Sequence, residues 1–219
     1  MVKRILVTGA NSGLGKSLIT QGTMRGHFMV PHYRKNSSIY ENLEGDIRGF
    51  RFLDKLQDTL HKHNITVFIN NAAVYLSGSI VDMADCEIDE VIETNLIAQI
   101  KMLKRVYKVF RDKGKGKIIN INSLAGKFPS AKESLYCASK AGLDAFSKSL
   151  QLEAIGTGVE IVDVYPGAMR TKMTGHRGDQ ETMMSPKEVA MGVLDTLDNS
   201  TYYVNELVLR KRNERRFTN

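Results

Sequence analysis

The sequence predicts an α/β domain: a single doubly wound parallel sheet with helices on both faces. Three observations carry this expectation. Short β-branched runs of strand length alternate with helix-length segments, the runs are apolar throughout instead of every second residue, and the first run passes through a glycine-rich turn into a helix. Strands are expected at residues 4–8, 28–32, 66–70, 117–122, 159–165 and 207–209, and helices at 14–25, 52–63, 86–111, 134–155 and 186–197. The first strand ends in the turn at Gly9, Gly13 and Gly15, and the second runs into His32-Tyr33-Arg34-Lys35. The helix at 52–63 is amphipathic and charged, so His61 and His63 read as surface residues, not metal ligands, with no cysteine ligands nearby. The helix from 86 starts among Asp82, Asp85, Glu87, Asp89, Glu90 and Glu93, a solvated beginning that suits the helix dipole. The last helix has the clearest boundary: Ser185 caps it, Pro186 suits its first turn and Glu188 completes a capping box.

At 219 residues, with 42% hydrophobic and 25% charged content, the chain suits one domain over 1–219 with a sizeable core. Cys86 and Cys137 cannot make a disulfide framework, so a reducing, cytoplasmic setting is expected. The start is basic like a signal peptide, but its apolar run stops at Thr8-Gly9, and no stretch is apolar and long enough to span a bilayer. The net charge of +7 is concentrated in the tail at 210–219, where five basic residues (Arg210, Lys211, Arg212, Arg215, Arg216) and one acid (Glu214) supply +4. A solvated terminal tail is the simpler reading, so neither nucleic acid nor membrane is expected as a partner.

The turn Thr8-Gly9-Ala10-Asn11-Ser12-Gly13-Leu14-Gly15 allows a pyrophosphate to approach bare backbone and meet the amides of the helix that follows. Gly15-Lys16-Ser17 ends like the phosphate loop of nucleotide hydrolases, but Ala10 stands where that loop requires glycine. At the end of the second strand, His32-Tyr33-Arg34-Lys35, no acid stands to bond ribose hydroxyls, whereas Arg34 and Lys35 are placed for a 2′-phosphate, which favours NADP over NAD. On a helix, Tyr136 and Lys140 share a face, so the ammonium is expected to favour the ionised phenol.

Jointly these residues resemble the short-chain dehydrogenase/reductase family over nearly the whole chain. The glycine turn resembles its cofactor motif, Asn70-Asn71-Ala72-Ala73 its Asn-Asn-Ala-Gly segment, and Asn95, Ser123, Tyr136 and Lys140 its catalytic tetrad. Pro166-Gly167-Ala168 with Thr171 resembles the turn that holds the nicotinamide carboxamide, and Asp46 with Ile47 falls at the adenine edge. Three departures stand out: Ala73 in place of glycine, a stretch at 36–45 that is short for the usual helix and strand, and a compact substrate loop at about 168–185. The methionines around that loop, Met169, Met173, Met183 and Met184, suit either a pliable lid or core packing.

The resemblance implies a Rossmann-type fold, NADP(H) as cofactor and hydride transfer between nicotinamide and a carbonyl or alcohol. Tyr136 would move the proton, Ser123 would polarise the oxygen, and Asn95 would hold a water linked to Lys140. A small-molecule or carrier-bound carbonyl substrate is expected, foremost a 3-oxoacyl thioester as in the 3-oxoacyl-carrier-protein reductases. A sugar, polyketide or other small ketone is the alternative, and a non-catalytic NADP-binding regulator the second. Apolar residues beyond one core stripe on the helix at 134–155 (Ala141, Leu143, Ala145, Phe146, Leu150, Leu152), with the pairing of equivalent helices in relatives, imply a homodimer or homotetramer.

Overall fold

The computed structural model describes residues 1–35, 42–175, 178–197 and 202–211. The seven strands formed by these residues are β1 (Arg4–Val7), β2 (Phe28–Tyr33), β3 (Leu43–Glu44), β4 (Val67–Asn70), β5 (Gly116–Ile121), β6 (Val159–Pro166) and β7 (Glu206–Leu209). All pairs are parallel, in the order β3-β2-β1-β4-β5-β6-β7. The helices are α1 (Gly13–Met24), α2 (Phe50–Lys62), α3 (Asp85–Ile92), α4 (Ala98–Asp112), α5 (Ser134–Glu153) and α6 (Pro186–Asp195).

Successive strand residues point to opposite faces, and both faces are covered. Leu6, Phe68, Ile118 and Ile161 pack with Leu56, Met102, Val106 and Leu150 of α2, α4 and α5. Their neighbours Ile5, Val67, Ile119 and Val162 pack with Leu18, Val189 and Val193 of α1 and α6. This two-sided burial is why the strands are apolar throughout. Because β2 and β4 flank β1 on opposite sides, the sheet has a switch point there, and a crevice opens beyond the carboxyl ends of β1 and β4.

The structure refines four expectations. The segment expected as one helix at 86–111 is two, α3 and α4, joined by a π turn at Glu93–Ile97 that contains Asn95. A two-residue strand, β3, closes one sheet edge where no strand was expected, and residues 36–41 of that stretch lie outside the described residues. His63 is buried and stacks on Phe28 rather than lying at the surface. On α5, Leu143 and Leu150 face the core, while Ala141, Ala145 and Leu152 are exposed and Phe146 is half-buried. The cap of α6 forms as expected, with Ser185 Oγ accepting from the Lys187 amide and Glu188 accepting from the Ser185 amide. Arg212 to Arg216 of the basic tail fall outside the described residues.

Candidate active site

The crevice is a cleft of about 1250 Å³ running from the β2 end to the loop after β6. Gly9, Asn11, Ser12, Gly13, Leu14, Gly15, Arg34, Asp46, Ile47, Asn71, Ala72, Ala73, Ser123, Tyr136, Lys140, Pro166, Gly167, Ala168 and Thr171 all line it. Of the residues expected at the site, only Lys35 and Asn95 do not. Lys35 is an exposed residue following the strand.

The glycine turn is held by its neighbours. Thr8, fully buried, accepts from the Asn71 and Ala72 amides at 2.9 and 3.0 Å, while Asn71 Nδ2 donates to the Thr8 carbonyl at 2.8 Å. A Cβ on Gly15 would lie 2.1 Å from the Gly9 carbonyl oxygen, one on Gly9 2.9 Å from Ala72 Cα, and one on Gly13 3.2 Å from Thr171 Cγ2. Gly9 and Gly13 also have φ of 68° and 52°, which a side chain would strain. Ser12 occupies the N-cap of α1 without its side chain capping any amide. Bare backbone at the amino end of a helix suits a pyrophosphate. The residues present fit a dinucleotide. Ala73 keeps a negative φ, so its methyl group introduces no backbone strain.

Two residues of this region escaped sequence reasoning. His32 is buried in β2; its Nδ1 accepts from the Gly9 amide at 3.2 Å and its Nε2 lies 2.9 Å from the Gly45 carbonyl. One neutral tautomer satisfies both contacts, and burial holds the imidazole below its ordinary pKa despite the Gly45 carbonyl and Asp46. Arg48 pairs with Asp46, with Nη2 to Oδ2 at 2.7 Å, and holds that carboxyl below the usual range, with a smaller contribution from Arg34. Two guanidiniums therefore stand at the β2 end of the cleft.

At the other end lie the candidate reacting groups. Ser123 follows β5, and Tyr136 projects into the same cleft from the first turn of α5. Burial pushes the Tyr136 phenol up to about 12; Ser123 draws it down and Glu133 adds to the rise. Lys140 Nζ donates to the Ile121 carbonyl at 2.9 Å and lies 5.9 Å from the Tyr136 ring centre, and its burial pushes the ammonium down to about 8. The expected depression of the phenol by Lys140 is thus not found; burial raises it instead. Asn95, fully buried, bonds Val74 in both directions at 2.8 Å and reaches Ser139 Oγ at 3.3 Å. Its side chain anchors the segment after β4 and does not face solvent. Met169 and Met173 line the cleft, Met183 is buried, and Met169 and Met184 pack on the core, so the methionines divide between the two expected roles.

A doubly wound sheet with a glycine cradle and a Ser-Tyr-Lys group at one switch-point cleft defines a dinucleotide-binding oxidoreductase domain. Residues 3–182 match the family model described as short chain dehydrogenase, and the chain belongs to that family, whose members bind a nicotinamide cofactor. It is 30% identical over 223 residues to the ketoacyl reductase HetN of Nostoc sp., covering 91% of this chain and 76% of that one. It is 32% identical over 180 residues to the 3-oxoacyl-[acyl-carrier-protein] reductase FabG of Buchnera aphidicola, covering 77% and 74%. A short-chain dehydrogenase from Sphingobium yanoikuyae, solved in complex with NADPH, superposes with a TM-score of 0.81 at 28% identity, covering 97% of this chain and 89% of that one. Among the described residues no helix is long and apolar enough to cross a membrane.

Proposed function

We propose that this protein is an NADPH-dependent reductase of carbonyl compounds, foremost of 3-oxoacyl thioesters on a carrier. The observation that carries the reaction is the adjacency of Ser123 and a protonated Tyr136 in the cleft, since a phenol held near 12 is in the form that donates a proton. NADPH, when bound, supplies hydride to the carbonyl carbon. Tyr136 donates its proton to the carbonyl oxygen, giving the alcohol, and Ser123 orients and polarises that oxygen. Lys140, anchored on Ile121, places a positive charge behind the tyrosine as it becomes phenolate. Gly9, Ser12, Gly13 and Gly15 would receive the pyrophosphate, Arg34 with Arg48 the 2′-phosphate, Asp46 and Ile47 the adenine edge, and Asn71 to Ala73 the ribose side. Pro166, Gly167, Ala168 and Thr171 would receive the nicotinamide.

The 3-oxoacyl preference draws support from the two ketoacyl reductases this chain is similar to. Association through the exposed Ala141, Ala145 and Leu152 side of α5 is part of the same reading, as is a reducing compartment, which suits exposed Cys86 and buried Cys137 as free thiols. The test is NADPH absorbance against a panel of 3-oxoacyl thioesters, sugars and simple ketones. Turnover of the thioesters above all others is the expected result; turnover only of sugars or simple ketones overturns the 3-oxoacyl assignment, and no turnover overturns the enzyme reading.

A further inference from the structure

Tyr75 and Glu133 take no part in the proton transfer above, yet they form the wall beside it. Tyr75 stands edge-on to Tyr136 with ring centroids 5.1 Å apart, and its hydroxyl donates to Glu133 Oε1 at 2.6 Å. Glu133 lies three residues before Tyr136, immediately ahead of α5. Its position is held from the chain side as well: Lys132 has a φ of 64°, unusual for a residue with a side chain, and its carbonyl accepts from the Gly78 amide at 2.8 Å. Such a conformation persists where the surroundings over-determine it.

The charges in the cleft give this carboxylate a consequence. Among the described residues its acidic lining residues are Asp46, at the β2 end and paired with Arg48, and Glu133, at the end where Ser123 and Tyr136 stand. Among the described residues Glu133 forms no ion pair, and its one side-chain hydrogen bond comes from the neutral Tyr75. Lys132 and Lys172 also line the cleft but are exposed, and Lys140 is buried against Ile121.

Resting on the reductase reading above, we propose that Glu133, held in place by Tyr75, determines specificity by turning away substrates that carry a negative charge next to the reacting carbonyl. The site then takes uncharged 3-oxo esters and thioesters and discriminates against free 3-oxo acids. Two like charges about 6 Å apart at an effective dielectric of about 20 repel by enough to weaken binding roughly a hundredfold. Hydration of the open cleft lowers this to an expected tenfold or more.

The experiment compares kcat/KM, from NADPH absorbance, within two substrate pairs of opposite charge type: ethyl acetoacetate with acetoacetate, and 2,3-butanedione with pyruvate. The wild type should favour the neutral member of a pair at least tenfold. In Glu133→Gln the ratio should fall towards one through faster reduction of the anion, whereas Glu133→Asp keeps the preference. Added salt should narrow the ratio in the wild type and leave it unmoved in Glu133→Gln, which a merely structural role would not produce. A preference confined to the second pair, with both 3-oxo compounds inert, supports charge selection and overturns the 3-oxoacyl reading. A wild-type ratio near one, a ratio unchanged in Glu133→Gln, or no turnover of any of the four overturns the proposal.

Discussion

Asp163 offers a sharp test of how the sheet is held together, because it is a carboxyl placed where a charge is costly. It lies in one lateral row of polar residues, Asn70, Asn120, Asp163 and Glu206, paired in register across β4 to β7. The residue is fully buried; Gln151 Nε2 donates to its Oδ2 at 2.9 Å, while Oδ1 has no full hydrogen bond. Burial pushes the carboxyl up to about 7, against the opposing pull of Ser147 and Asn120 and with smaller additions from Asp144 and Glu206. Relative to an unfolded carboxyl at 3.8, the folded state binds the proton more tightly. Stability from this group is therefore fully present below the unfolded value and is lost as pH rises towards the folded one. A shift of about 3 units corresponds to roughly 4 kcal/mol. Asp163→Asn keeps the shape and removes the titration. Urea unfolding of both proteins at intervals from pH 4 to pH 8 isolates the effect, because other groups cancel in the difference. The variant's stability relative to the wild type should rise by a few kcal/mol across that range and then level off. A difference that stays constant with pH would refute this, showing instead that Asp163 is ionised and well paired in the folded protein.

Tyr136→Phe should lower turnover by about 10² to 10⁴ while leaving NADPH affinity nearly intact, since it removes the proton donor alone; near wild-type rates with chemistry limiting would dismiss Tyr136. Arg34→Ala should weaken NADPH at least tenfold more than NADH, because a guanidinium-phosphate contact is charge-assisted, and Arg34→Ala with Arg48→Ala should abolish the preference. Equal losses for both cofactors, measured by fluorescence titration, would assign Arg34 to general charge. Light scattering at micromolar concentration should give a dimer or tetramer mass, and a monomer mass would leave the exposed apolar side of α5 unexplained.

The alternating apolar runs, the glycine turn and the Tyr136-Lys140 pair are local in sequence, so the sheet and the cradle were legible from spacing, while most of the remaining cleft residues came from the family resemblance. Identity and spacing identify which groups can meet, but not the environment in which they meet. Lys140 sits beside Tyr136 as the helical interval requires, yet the phenol is raised, because desolvation depends on atoms from β5 and the loops after β4 and β5 that no local pattern encodes. His32 read as the end of a strand and became a clamp only when folding placed Gly9 on one ring nitrogen and Gly45 on the other. Tyr75 and Glu133 are 58 residues apart and carry no motif. The π turn at Asn95 arises in the same way. Helical periodicity predicts a continuous helix, while the carboxamide is drawn across to Val74 and Ser139. What sequence determined was the set of backbone elements and the chemistry at their ends; burial, protonation and the pairing of distant side chains were decided by tertiary packing, because those energies depend on everything that surrounds a group.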